Sequence, residues 1–184
     1  FDRGAMDARA YTTKEEFDLF LCVYFDLKRD YNAINNSIMG NKLLTEIIES
    51  EKGIRILKQE PFEALISFII SANNNIPRIK AIINRLCENF GEKIEGGYAF
   101  PTPLVLASKT PEDLNILRAG FRAKYIVDAV EKLNSGEISL EKIEKMPIEE
   151  ARQELCKIKG VGAKVAECTL LYGFGRMEAF PVDV

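Results

Sequence analysis

The sequence predicts a mainly helical protein built as two lobes, and three observations predict it. Apolar residues recur at i, i+3, i+4 and i+7 along most of the chain, as the buried face of an amphipathic helix requires. No sustained period of two and no hairpin turn between alternating runs marks a strand pair. Prolines and glycines fall where helices would start and stop. The 184 residues suffice for one domain or two small ones, and 47% hydrophobic with 29% charged residues is a globular composition.

Residues 1–12 carry no clear period and are set apart from the fold as an N-terminal remnant or residues foreign to the domain; Gly4-Ala5-Met6-Asp7 reads as such a join. From Thr13 the first stripe is Phe17, Phe20, Leu21, Tyr24 and Phe25, a helix with one buried face. Phe62, Leu65, Ile66, Ile69 and Ile70 lie on a helix apolar almost all round, which predicts the central buried one. Ile79, Ile82, Ile83, Leu86 and Phe90 form the next stripe, and Gly91 is its natural stop. The loop-like stretch 91–103, with Gly96-Gly97 and Pro101-Thr102-Pro103, is expected to join the lobes. Thr110 and Asp113 resemble a capping pair for a helix carrying Leu114 and Leu117 and closed by Gly120. Tyr125, Ile126, Ala129, Val130 and Leu133 mark a further helix, and Ala151 and Leu155 one beginning near Ile148 after Met146-Pro147.

Composition excludes several chemistries. With no histidine, the chain holds no Ser-His or Cys-His nucleophile pair and no His metal ligand, so acid–base work falls to Asp, Glu, Lys, Tyr or Cys. A net charge of −3 argues mildly against nucleic acid, and any such partner needs a local positive surface. Cys22, Cys87, Cys156 and Cys168 form no Cys-x-x-Cys pair and read as reduced thiols of a cytoplasmic protein, not as metal ligands. The most apolar stretch, 62–72, carries Glu63 and Ser67 and falls short of the roughly 20 residues that cross a bilayer.

The informative stretch is 155–184, where a helix runs into Gly160-Val161-Gly162 and a second apolar helix starts at once. Two glycines let a phosphate approach the exposed N–H groups of a helix N-terminus, which suits sequence-independent binding of a DNA backbone. A tight turn between two helices accounts for the glycines equally well. Lys164 falls in the first turn of the new helix, where the positive end of the dipole disfavours an ammonium, the setting of a nucleophilic lysine. Asp183 is a lone carboxylate in the apolar segment Pro181-Val182-Asp183-Val184; a helix N-cap and a catalytic carboxylate are both open readings of it. Three asparagines, Asn73 to Asn75, break a buried apolar helix, with Asn75 and Pro77 suited to starting the next.

Gly160-Val161-Gly162, Lys164 and Pro181-Val182-Asp183 resemble the helix-hairpin-helix, Gly/Pro-rich loop and aspartate of the HhH-GPD superfamily of DNA glycosylases. Ser67-Phe68 through Ser71-Ala72-Asn73-Asn74-Asn75-Ile76-Pro77-Arg78-Ile79, Gly120-Phe121-Arg122-Ala123-Lys124-Tyr125 and Lys164-Val165-Ala166-Glu167-Cys168 resemble its 8-oxoguanine DNA glycosylase branch. The resemblance implies a helical glycosylase core over 13–184 with its helix-hairpin-helix near 150–174, truncated at its C-terminus. It also implies an N-terminal antiparallel β domain largely missing from this chain.

It implies further that Lys164 attacks C1′ to form a Schiff base, that Asp183 supports it, and that Gly160, Val161 and Gly162 grip the DNA backbone. Asn73 would fill the gap left by the extruded base, with Asn74 beside it. Arg78 and Arg122 would read the orphaned cytosine, and Phe121 would wedge into the stack where eukaryotic members carry tyrosine. Cys168 would flank the flipped 8-oxoguanine. Without the resemblance, Arg78 reads as a solvated helix charge, Phe121 as a cap contact and Cys168 as a core thiol. The implied partner is duplex DNA containing 8-oxoguanine, bound by a monomer in the nucleoid or nucleus, with no membrane, metal or other cofactor; no iron–sulfur cysteine pattern precedes Val184. A sibling glycosylase for another damaged base and a non-catalytic helix-hairpin-helix DNA-binding module are the competing expectations.

Overall fold

The computed structural model describes residues 12–40, 42–51 and 53–183. The chain divides into two compact units, 1–58 and 59–184. The division therefore falls at 58/59, and the stretch 91–103 lies inside the second unit instead of joining two lobes. Most of residues 1–12 lie outside the described residues.

In the first unit, α1 (Lys14–Glu16) starts on a reciprocal Thr13–Glu16 capping box, widens into a π-helical turn over Phe17–Leu21 and resumes as α2 (Cys22–Tyr24). The predicted stripe is present but not covered: Phe20 is 67% exposed, and the buried residue of these elements is Cys22. A π turn carries one more residue than an α turn, and Phe20 inside it is turned to the surface while Leu21 and Phe25 stay half-buried. The short helices α3 (Tyr31–Ile38) and α4 (Lys42–Ser50) follow. Polar contacts pin the connections, with Asp26 accepting from Arg29 and from the Tyr31 hydroxyl. The Arg55 guanidinium lies 4.6 Å from the Tyr31 ring centre and donates to the Asp26 carbonyl.

The second unit is built around α5 (Pro61–Ser71), which starts with Pro61 in its first turn and Glu60 capping the Glu63 N–H. Phe62, Leu65, Ile66, Ile69 and Ile70 are all buried, as the unbroken apolar run predicts. Next comes α6 (Ile76–Phe90), capped by Asn75 as expected. Gly91 does end α6, but with an ordinary negative φ. A Cβ there would stand 1.9 Å from the Ala99 carbonyl oxygen, so close approach of the next segment is what requires glycine. That segment is a hairpin the sequence did not announce, β1 (Lys93–Ile94) paired antiparallel with β2 (Gly97–Tyr98). Each strand is two residues long, too short for any alternation to register.

After α7 (Pro103–Leu106), the Thr110–Asp113 pair forms the reciprocal cap, at the head of a 3₁₀ turn over Asp113–Leu117. Arg118, left-handed at φ 55°, closes this turn two residues before Gly120. The chain continues through α8 (Arg122–Asn134), the unforeseen short helix α9 (Leu140–Lys145), α10 (Ile148–Leu155) and α11 (Ala163–Cys168). α11 runs on as a π-helical turn over Thr169–Gly173, where Gly173 packs against Pro61 and Ala64 of α5. The helix-hairpin-helix thus spans 148–173 and is fastened to the central helix.

Candidate active site

The hairpin between α10 and α11 is shaped by what it lacks. Gly160 has φ +81°, and a Cβ there would lie 2.2 Å from the Tyr125 ring of α8. Both the left-handed backbone and the ring exclude any other residue. Val161 is buried and anchors the loop, while Gly162 opens α11 with no side chain capping the first N–H groups. Those donors have no partner inside their own helix and face outward with the positive end of the dipole, an arrangement suited to a phosphate. From the other side, Asp128 of α8 accepts the Lys159 N–H at 2.8 Å and pairs with Lys132 and Lys159. Burial acts to raise the Asp128 carboxyl, but these donors outweigh it and hold it below the ordinary range.

Lys164 is the second residue of α11, and its Nζ lies 2.6 Å from Asp183 Oδ1. The structure therefore brings together two residues nineteen positions apart. Asp183 caps no helix among the described residues. With the Asp183 side chain 82% exposed, the pair contributes at most about 1 kcal/mol to the fold. Cys168, one turn after Lys164, is buried, and that burial pushes its thiol up, so it stays protonated at neutral pH.

The four remaining predicted residues of the opposite-base site, with Arg122, gather around one turn. Asn73 is exposed and left-handed, φ +49°. Asn74 does not reach outward: its side chain donates to the Ile70 carbonyl and accepts the Asn75 N–H, closing the turn. Arg78 is exposed, with one guanidinium nitrogen 3.5 Å from the Arg118 carbonyl. Phe121 projects with 52% of its surface open, stacked on the Arg122 guanidinium at 4.5 Å and edge-on to Tyr125 at 5.6 Å.

Arg122 departs from expectation. It is 2% exposed, and its guanidinium donates to the carbonyls of Ala72, Asn73 and Ala119. In this structure it holds the asparagine turn from beneath instead of presenting a fork to a base edge. A continuous path of contacts follows, from the Asn73 turn through Arg122, Phe121 and Tyr125 to Gly160. Arg78 and Arg118 are both exposed beside this turn.

Sequence reasoning missed Asp128, Tyr125 and Glu167. Glu167 is buried on α11; it binds Arg152 of α10 and accepts the Phe180 N–H at 2.8 Å. Its single signal in sequence was a charge inside an apolar helical run. Among the described residues, no group of three or more His, Cys, Asp and Glu is placed to hold a metal ion, and no helix is long and apolar enough to cross a membrane.

Comparison with known proteins agrees with this geometry. Residues 4–65 match the family model for the N-terminal domain of 8-oxoguanine DNA glycosylase. The chain is 43% identical to the N-glycosylase/DNA lyase of Saccharomyces cerevisiae over 73% of its length and 40% of the yeast protein. It superposes on the apo form of Clostridium acetobutylicum 8-oxoguanine glycosylase/lyase with a TM-score of 0.90 and 45% identity, covering 94% of this chain and 62% of that one. The same enzyme in complex with double-stranded DNA containing cytosine opposite 8-oxoG gives 0.89 at 45% identity, with coverage of 94% and 61%. The chain thus spans from two fifths to three fifths of these relatives. Residues 66–184, which carry the hairpin, Lys164 and Asp183, match the HhH-GPD base excision DNA repair model, and the chain belongs to that superfamily.

Proposed function

We propose that this chain carries the catalytic core of a bifunctional DNA glycosylase that excises 8-oxoguanine, preferentially opposite cytosine, and then nicks the strand as an AP lyase. The observation that carries the reading is the Lys164–Asp183 pair, 2.6 Å apart at an uncapped helix N-terminus behind the glycine hairpin. A water-using glycosylase or a plain backbone-binding module has no need of a lysine there. The relatives named for 8-oxoguanine glycosylase/lyase activity support the substrate.

The hairpin N–H groups would hold a phosphate while Phe121 and Asn73 enter the stack, offsetting the roughly few kcal/mol that extruding a base costs. Asp183, 2.6 Å from Lys164 Nζ, would take a proton from it and stabilise positive charge developing on the sugar. The neutral amine attacks C1′, the C1′–N9 bond breaks, and the leaving base takes up the proton that Asp183 accepted. A second proton passes from Nζ to O4′ as the sugar ring opens, which leaves the protonated Schiff base. Removal of a C2′ proton then expels the 3′ phosphate.

Borohydride trapping on a duplex with 8-oxoguanine opposite cytosine, beside an undamaged duplex, tests the reading. A covalent adduct is expected with the lesion alone. Lys164→Gln abolishes it while leaving duplex binding within about tenfold, because the hairpin contacts remain. Released base without an adduct would point to a water-using sibling, and neither product to a binding module.

A further inference from the structure

We propose that Glu167 is a positioning residue of the reaction: it ties down the segment 180–183 so that the Asp183 carboxylate meets Lys164. The proposal rests on the reading of Lys164 and Asp183 as the reacting pair. Three observations carry it. Glu167 is 8% exposed, and its two oxygens are divided between Arg152 of α10 and the Phe180 N–H. Pro181 has no N–H to donate, so the Phe180 N–H is the last backbone donor before Asp183 but one. Lys164 and Glu167 stand on the same α11, three residues or about 4.5 Å apart along the axis.

Those three facts define a short closed circuit. From Phe180 to Asp183 the chain spans at most about 10 Å, and both ends are fixed to α11, one by Glu167 and the other by Lys164. Asp183 is itself mostly exposed, so little packing restrains it. Arg152, held also by Glu149, fixes the other Glu167 oxygen and so aims the carboxylate. Removing the Glu167 acceptor frees the segment to move away from α11, and Lys164 loses its partner.

Glutamine is the same size but cannot accept on both sides, because its amide would face either Arg152 or the Phe180 N–H with a donor. Glu167→Gln is therefore expected to slow single-turnover release of 8-oxoguanine by about 10- to 100-fold while duplex affinity stays within about threefold. In an Asp183→Asn background the same change is expected to cost less than about twofold, because its effect passes through Asp183. Glu167→Asp, which keeps the charge, is expected to restore part of the rate. Equal losses in the wild-type and Asp183→Asn backgrounds, or a parallel loss of DNA binding, would overturn the proposal.

A second readout does not need turnover. The 13C signal of reductively methylated Lys164, assigned by its disappearance in Lys164→Gln, is expected to move in the same direction in Glu167→Gln and in Asp183→Asn. A signal unmoved by Glu167→Gln overturns the role of Glu167 even if the substrate proves different. Failure of the wild type to release base overturns the functional reading and leaves this spectroscopic test standing.

Discussion

The asparagine turn at 72–75 and the glycine hairpin at 159–162 solve one problem in opposite ways. Each must present groups at the surface from a left-handed residue set on buried helices. The turn uses Asn73 at φ +49° and is held from below by the buried Arg122. The hairpin uses Gly160 at φ +81°, with the Tyr125 ring where a side chain would be. A left-handed residue with a Cβ costs about 1–2 kcal/mol, least for Asn and Asp, whose side chains bond locally. Glycine avoids that cost but offers no side chain. The hairpin offers bare backbone and can use glycine; the turn offers a side chain and cannot, so a buried cation stabilises it.

The largest effect expected from this contrast is at Arg122. Arg122→Ala leaves three carbonyls without their charged donor and should destabilise the chain by about 3–5 kcal/mol in urea unfolding. Arg122→Lys should recover less than half of that, since an ammonium cannot span carbonyls that a planar fork bridges. Arg78→Ala, an exposed neighbour, should change stability by under about 0.5 kcal/mol and act on DNA affinity alone. A loss below about 1 kcal/mol in Arg122→Ala would mean that the turn stands without its arginine.

The contrast also explains what could be read in the sequence. The central helix was legible because Phe62 through Ile70 are apolar on every face, and only a buried helix tolerates that. Lys164, Asp183 and the two glycines could be singled out by residue type and spacing, and the structure sets the lysine and the aspartate 2.6 Å apart beyond the glycine hairpin. The brace that Arg122 forms under the turn was not legible, because an arginine that reads a base and one that braces a backbone look alike until its carbonyl partners are known. Tyr125 and Asp128 belong to α8, and nothing in their local pattern reveals that a hairpin more than thirty residues on lies against them. The stripe at 17–25 gave the correct helical segment but not the exposure of Phe20, because a π turn leaves no mark in apolar spacing.

The hairpin has its own internal control in its two glycines. Gly160→Ala forces a Cβ into the Tyr125 ring at a left-handed φ and should cost about 2–3 kcal/mol. Gly162 has an ordinary φ and nothing within 4 Å of a new Cβ, so Gly162→Ala should move stability by less than about 0.5 kcal/mol. Trimming the ring should relieve the clash but not the backbone strain, making Gly160→Ala with Tyr125→Ala less than additive. Equal costs at the two glycines would remove Tyr125 from the account.

A smaller effect than those at Arg122 and Gly160 separates the two loops by pH. The glycine hairpin is braced by a titratable group, Asp128, whereas the asparagine turn is braced by a guanidinium that stays charged throughout. Burial opposes ionisation of Asp128, yet the Lys159 N–H and the lysines Lys132 and Lys159 leave its carboxyl below the ordinary value. A depressed carboxylate contributes stability that is complete above its unfolded pKa of about 4 and is lost as pH falls through the folded value. Asp128→Asn, which can still accept the Lys159 N–H, should therefore cost about 1 kcal/mol at pH 7, and the gap to wild type should start to narrow only as pH falls below about 4. Urea midpoints followed from pH 7 downward through the acid range measure it. A gap that stays constant down to the pH at which the wild type itself unfolds would mean that Asp128 acts through its shape and hydrogen bond, and that the hairpin, like the turn, is held by a brace indifferent to pH.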